Sequence, residues 1–205
     1  MEIELKYLVK DEGLADRIFS DEYLLKHMDK NSYEVIPMRA VYFDTDDDDF
    51  MQNRIAFRVR REGDAMIGTL KWNGTSEEGM HKREELNVPI ADESYIDKPD
   101  LGIFEQSDVY EILKTAAGDK PIKAVMEMEF DRRQMRIDTG KSISELSVDK
   151  GQIKCCGKAA EISELELELY SGSEEDVRVL GKYVSDKYGL QAEDKSKFQR
   201  GLELR

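Results

Sequence analysis

Apolar and polar residues alternate with a period of two along much of this chain, the periodicity of β-strands whose successive side chains face opposite ways. Alternating or β-rich stretches predict about eight strands, over 2–9, 35–45, 55–61, 66–72, 82–90, 123–133, 142–149 and 161–170. Gly63-Asp64 and Asn73-Gly74 read as turns between neighbouring strands, because their glycines accept positive φ, and they favour antiparallel meanders. Helical periodicity is confined to fewer places. Residues 11–28 predict one or two short helices, and 109–117 another ending near Gly118. The clearest helix covers 174–188, with Ser173 as N-cap, Glu174, Glu175 and Asp176 in its first turn, and Gly189 beyond its end. Val177, Leu180, Val184 and Tyr188 form its apolar face.

What the strands alternate is unusual. Residues two apart share a face about 6.6 Å from one another. Glu2, Glu4 and Lys6 therefore form one row against Ile3, Leu5 and Tyr7. Such a row, met alone, is a solvated face. The pattern recurs, however, with Arg58 and Arg60, with Thr69 and Lys71, and with His81, Arg83 and Glu85. It ends in Glu164, Glu166 and Glu168 alternating with Leu165, Leu167 and Leu169. Three like charges on one face need compensating cations, and carboxylate oxygens suit Mg²⁺ or Mn²⁺. If the strands close into a barrel, these rows point into the lumen and the aliphatic residues point outward, beneath helices. The fold class expected is α+β: an eight-stranded antiparallel β-barrel with a charged lumen and flanking helices.

The 205 residues suit a single domain over 1–205. A net charge of −14 argues against a general nucleic-acid binder, although basic clusters inside a cleft still focus potential on a small polyanion. The opening MEIELKYLV lacks a signal-type pattern and no apolar run approaches ~20 residues, so no membrane association and a cytoplasmic location are expected. Cys155 and Cys156 are sequence neighbours, poorly placed for a structural disulfide and too few for zinc, which suggests a reducing compartment. The acidic run from Asp46 to Asp49 reads as a solvated turn. His27 reads as a surface or packing residue, Trp72 as packing outward, and no serine or cysteine has the His and Asp neighbours of a nucleophile.

The motifs EIELK (2–6), YFDT (42–45), IAFRVR (55–60), TLK (69–71), GMHKREE (79–85), SVDKG (147–151), ELELEL (164–169) and DKSKFQRG (194–201) occur in an order that resembles the CYTH superfamily of triphosphate tunnel metalloenzymes. GMHKREE, ISELELELYSG and DKSKFQRG look most like its bacterial inorganic triphosphatases. The resemblance covers nearly the whole chain, without room for the helical polyphosphate-associated domain that sometimes follows. It implies metal-dependent hydrolysis of inorganic triphosphate to pyrophosphate and phosphate, with Mg²⁺ or Mn²⁺ as cofactor. Thiamine or nucleoside triphosphates as substrates, nucleotide cyclisation, or a non-catalytic polyphosphate-binding module are the alternatives.

By the same resemblance, Glu2, Glu4, Glu164, Glu166, Glu168 and Asp149 are the metal-side carboxylates, with Glu85 nearby. Lys6, Arg58, Arg60, Lys71, Arg83, Lys195, Lys197 and Arg200 would hold phosphate. Arg132 is a further candidate, with Arg133 of opposite parity beside it. Phe130 stands where the family often has a basic residue. Glu4, Lys6 and Glu166 are the expected catalytic residues, a glutamate orienting water while a second ion activates it. Arg39 and His81 are left open between ligand and bystander, and a homodimer is compatible with the chain.

Overall fold

The computed structural model describes residues 1–11 and 13–205. Eight strands close into an antiparallel barrel: β1 (Glu2–Leu8), β2 (Glu34–Asp44), β3 (Ile55–Glu62), β4 (Ala65–Glu77), β5 (Met80–Ile90), β6 (Lys123–Asp138), β7 (Ser142–Cys155) and β8 (Lys158–Gly172). Their order around the sheet is β5-β4-β3-β2-β6-β7-β8-β1, and β1 pairs back onto β5 through Glu2↔Arg83 and Glu4↔His81 to complete the ring. A two-residue strand, β9 (Gln191–Ala192), lies beside the end of β1.

The aliphatic faces of these strands point outward and are covered by helices. Leu5 and Tyr7 of β1, Leu146 and Val148 of β7, and Leu165 and Leu167 of β8 are buried beneath α1 (Leu14–Phe19), α2 (Glu22–His27) and α5 (Glu174–Tyr188). On the opposite side Phe57, Val59 and Leu70 pack under α3 (Asp49–Gln52), two 3₁₀ turns and α4 (Tyr110–Ala117). Trp72 belongs to this outer layer. The charged rows are left to face inward. The long helix α5 has the expected bounds and caps: the Ser173 side chain accepts from the Asp176 amide, and Gly189 takes φ 66°. Within the predicted helical stretch 11–28, Glu12 lies outside the described residues.

Three features differ from expectation. Asn73-Gly74 is not the hairpin turn: β4 runs on to Glu77 through a bulge between Trp72 and Thr75, and the chain reverses at Glu78 (φ 51°) and Gly79 (φ 79°). Gly79 is required there, since a Cβ would stand 2.7 Å from the Lys6 carbonyl oxygen. A sixth helix, α6 (Lys197–Leu202), forms where no helix was predicted. Its start is fixed by a reciprocal capping box between Ser196 and Gln199.

The third difference is that the lumen is charged on only part of its wall. Met38, Ala40 and Tyr42 of β2 and Met126, Met128 and Phe130 of β6 form an apolar inner cluster with Ile153, Cys155 and Ile162, against which Phe198 and Leu202 of α6 pack. The acidic run after β2 turns outward as read. Asp46 and Asp47 are exposed and pair with Lys123 and Lys120, while Asp49 pairs with Lys120 and starts α3. Among the described residues no helix is long and apolar enough to cross a membrane.

Candidate active site

The barrel encloses a cavity of about 690 Å³, lined by inward residues of β1 to β8 and by α6. Its walls divide into an acidic end, a central ion-pair network and a cationic patch.

Glu2 and Glu4 of β1 define the acidic end, together with Glu85 of β5 and Glu168, whose Cα lies opposite that of Glu4. Lys71 reaches Glu2 at 2.9 Å and Glu85 at 3.0 Å, and Arg83 forks to Glu2 and Glu4, the latter at 2.8 Å. Burial works against the charged form of Glu85, but Lys71 and Arg58 hold its carboxyl well below the usual range. Glu168 differs. Among the described residues it has no ion pair, and burial followed by the Glu2 and Glu4 carboxylates pushes it up to about 8. This end carries more negative charge than its own cations neutralise.

In the centre, Lys6 is 1 % exposed. Its ammonium contacts Glu166, lies 3.0 Å from Glu164 and 3.5 Å from Glu4. Burial disfavours its charge, yet these carboxylates hold it well above the ordinary lysine range. Arg132 grips Asp149 with two parallel bonds of 2.8 and 2.7 Å and reaches Glu166 at 2.6 Å. Lys197 of α6 lies 2.8 Å from both Asp149 and Glu166 and also contacts Glu164, which in turn accepts from Arg200. Oxygens of Asp149, Glu164 and Glu166 come within 4.8 Å of one another, so this is a buried acidic cluster already met by four cations.

The cationic patch lies on β3. Arg58 donates to the Thr69 hydroxyl at 3.3 Å, and that hydroxyl donates to the Asn87 side-chain oxygen at 2.7 Å. Arg60 is pulled down to about 10, by burial and then by the neighbouring Arg58 charge. The Nε atoms of both arginines are buried with no hydrogen-bond partner among the described residues. Buried guanidinium donors without acceptors are costly, and an anion placed between them relieves that cost.

Most of the residues singled out from sequence meet around this cavity: Glu2, Glu4, Lys6, Arg58, Arg60, Lys71, Arg83, Glu85, Arg132, Glu166, Glu168 and Lys197 line it. Asp149, Glu164 and Arg200 join them through ion pairs. Lys195 does not. It precedes the α6 cap, is half exposed and pairs with Glu203 at 2.6 Å, outside the residues that line the cavity. Arg133 faces outward onto Phe19 and Asp16, which selects Arg132. Arg39 pairs with Glu127 outside the lumen at 2.6 Å. His27 packs against the Tyr23 ring and carbonyl. His81 lines the cavity, with Nε2 donating to the Glu193 carbonyl at 2.8 Å.

Sequence reasoning passed over Glu145 and Asn87, and gave Tyr42 and Thr69 no role beyond their motifs. Tyr42 is buried beside Arg58 and stacks on Phe198, and Glu145 accepts from Tyr170. Strand parity would have found Glu145, four residues before Asp149, and Asn87, two after Glu85. Phe130, in place of a basic residue, supplies a ring face 5.4 Å from the Lys197 ammonium.

The CYTH domain, as a family, matches residues 1–202. An inorganic triphosphatase from Haemophilus influenzae is 27% identical over 137 residues, a stretch covering 66% of this chain and 37% of that protein. Among solved structures, a Hippeastrum protein described as having a dominant triphosphatase activity superposes with a TM-score of 0.70 at 17% identity, over 100% of this chain and 97% of that one. A Pyrococcus horikoshii protein superposes at 0.59 and 20% identity, with complete coverage of both chains. At these identities the two structures establish the fold.

Proposed function

The chain belongs to the CYTH domain family, and from that premise we propose that it is a metal-dependent hydrolase cleaving a linear triphosphate to pyrophosphate and phosphate. One observation carries this reading: the buried, unpartnered Nε donors of Arg58 and Arg60 on the wall of an enclosed cavity, where non-bridging phosphate oxygens would complete them. The similarity to an inorganic triphosphatase supports the same substrate.

Glu2, Glu4 and Glu168 of the acidic end, with Glu166 of the central network beside Glu4, offer only oxygen donors, and Glu168 has no cation of its own among the described residues, a set that fits a divalent cation. Mg²⁺ or Mn²⁺ held there would polarise phosphate oxygens and lower the pKa of a bound water. Asp149 and Glu164 are assigned a different role from the one expected: already neutralised by Arg132, Lys197 and Arg200, they hold those cations in place. Arg58, Arg60 and Lys71 would orient the triphosphate, and Lys6 would meet charge developing on the departing oxygen. Glu4 or Glu166 would orient the water. Its oxygen bonds to the terminal phosphorus, the bridging P–O bond breaks, and pyrophosphate leaves.

The deciding experiment measures phosphate and pyrophosphate release from tripolyphosphate, ATP and thiamine triphosphate, each with Mg²⁺, Mn²⁺ or chelator. Turnover of tripolyphosphate that needs metal and drops at least ~100-fold in Glu4→Gln is expected. Tight binding of tripolyphosphate without turnover under any condition would instead identify a binding module. Preferential turnover of an organic triphosphate would give the apolar wall of Met38, Met128 and Phe130 a role in recognition.

A further inference from the structure

The hairpin joining β7 to β8 turns on Cys156 and Gly157, with φ of 52° and 76°. Cys155, the last residue of β7, is buried within the inner apolar cluster, while Cys156 is exposed. The turn brings their Sγ atoms to 3.6 Å. Cys155 Sγ also donates to the Val125 carbonyl at 3.4 Å, and Phe198, Leu202 and Leu204 pack against the cluster it belongs to. Neither thiol takes part in the ion pairs of the tunnel.

Adjacent Cα atoms stand about 3.8 Å apart across a trans peptide. A relaxed disulfide spans roughly 4.4–6.8 Å between Cα atoms, so this pair is not placed for one. No third His, Cys or carboxylate among the described residues gathers with the two thiols, and a tetrahedral metal site is therefore incomplete. Two sulfurs already near contact do suit a centre that binds both at a narrow angle. Trivalent arsenic does so, whereas ions that prefer linear coordination hold sulfurs further apart.

We propose that Cys155 and Cys156 form a chelation site for trivalent, monosubstituted arsenicals, and that filling it loosens the end of α6. The exposed Cys156 reacts first, and Cys155 then closes the ring at high effective concentration. Two As–S bonds form, the As–O double bond is lost, and both thiol protons leave with that oxygen as one water. Arsenic remains trivalent. Loss of the Cys155 proton ends its bond to the Val125 carbonyl, and the arsenical sits beside the cluster against which Phe198, Leu202 and Leu204 pack. The end of α6 has little slack: Arg205 holds Asp48 at 2.6 Å, and Gly201 sits so close to Met126 that a Cβ would stand 2.2 Å from its sulfur.

Phenylarsine oxide is added to the whole protein, and the intact mass is followed during a chase with excess monothiol. One adduct per chain, heavier by the arsenical less one water, is expected to survive the chase and to be released by a small dithiol. Cys156→Ser, at an exposed turn, is expected to keep its fold and to lose the adduct at least ~100-fold faster. Equal loss from wild type and variant would overturn the site, as would no adduct on a protein whose Cys156 is readily alkylated by iodoacetamide. Amide exchange across 201–205 is expected to rise about tenfold in the adduct. Unchanged exchange would overturn the coupling to α6.

Discussion

Two residues in the lumen show how environment, rather than residue type, sets a role. Glu168 and Glu166 lie two apart on β8, yet burial and the neighbouring carboxylates push Glu168 up to about 8, while Lys197, Lys6 and Arg132 overcome burial to hold Glu166 well below the usual range. Because Glu168 binds its proton more tightly folded than unfolded, its contribution to stability is fully present below about 4.5 and is lost as pH rises toward about 8. The thermal midpoint of the ligand-free protein should therefore fall across that window. Glu168→Gln should flatten the fall; an unchanged slope in the variant would show that the carboxyl is not protonated there. Lys6 works in the opposite sense. Truncation to Met leaves Glu4, Glu164 and Glu166 buried without their shared cation, and a loss of about 3–5 kcal/mol is expected in chemical denaturation. Lys195→Ala, by contrast, should change stability by less than about 0.5 kcal/mol and leave tripolyphosphate turnover intact, as its ion pair is exposed.

At the scale of elements, helices seated outside the barrel determine which strand faces are left for chemistry. Helix α5 lies so close to β1 that a Cβ on Gly181 would stand 2.3 Å from Leu5 Cδ1 and 2.8 Å from the Tyr7 hydroxyl. Gly181→Ala should cost about 1–3 kcal/mol, read by urea unfolding. Leu5→Ala in the same background should then cost less than Leu5→Ala alone, since it removes the clash. The barrel was legible because β1, β3 and β8 carry charge and aliphatic residues with strict parity, so the sorting of faces is written into each strand. Strand β6 follows the reverse habit: Met126, Met128 and Phe130 are buried in one row while Glu127 and Glu129 point the other way, and on the cavity wall Arg132 continues that row with a charge. Its apolar stretch, read alone, gives an ordinary core-facing strand and conceals the apolar half of the lumen. The terminal motif conceals its geometry for a different reason. Taken as a run, DKSKFQRG makes three basic residues equivalent, but the Ser196 cap starts the helix. Lys197 and Arg200, three apart, then share a face toward Glu164, and Lys195 remains before the cap.

For the molecule as a whole, the ligand-free lumen largely neutralises itself: among the described residues most basic groups proposed to hold phosphate or support the centre pair with a carboxylate, Arg60 with Glu62 included, while Arg58 has no ion pair and Glu168 has no cation of its own. On the proposed function, this arrangement makes metal and triphosphate depend on each other. Triphosphate alone would draw Lys6 and Lys71 from Glu164, Glu166 and Glu2, leaving carboxylates buried and unpaired. A divalent ion alone would do the reverse to the cations. Bound together, they exchange one balanced set of ion pairs for another, so their affinities should be coupled, and linkage requires the coupling to be equal in both directions. Calorimetric titration with a methylene-bridged, non-hydrolysable triphosphate should give a Kd lower by roughly 5- to 150-fold when Mg²⁺ is present than with chelator. The Mg²⁺ affinity should rise by the same factor when the analogue is bound. Glu166→Gln, which removes a charge shared by Lys6, Arg132 and Lys197, should shrink both factors together. Equal affinity for the analogue with and without metal would show that the lumen does not rearrange its ion pairs on binding, and the exchange described here would have to be abandoned.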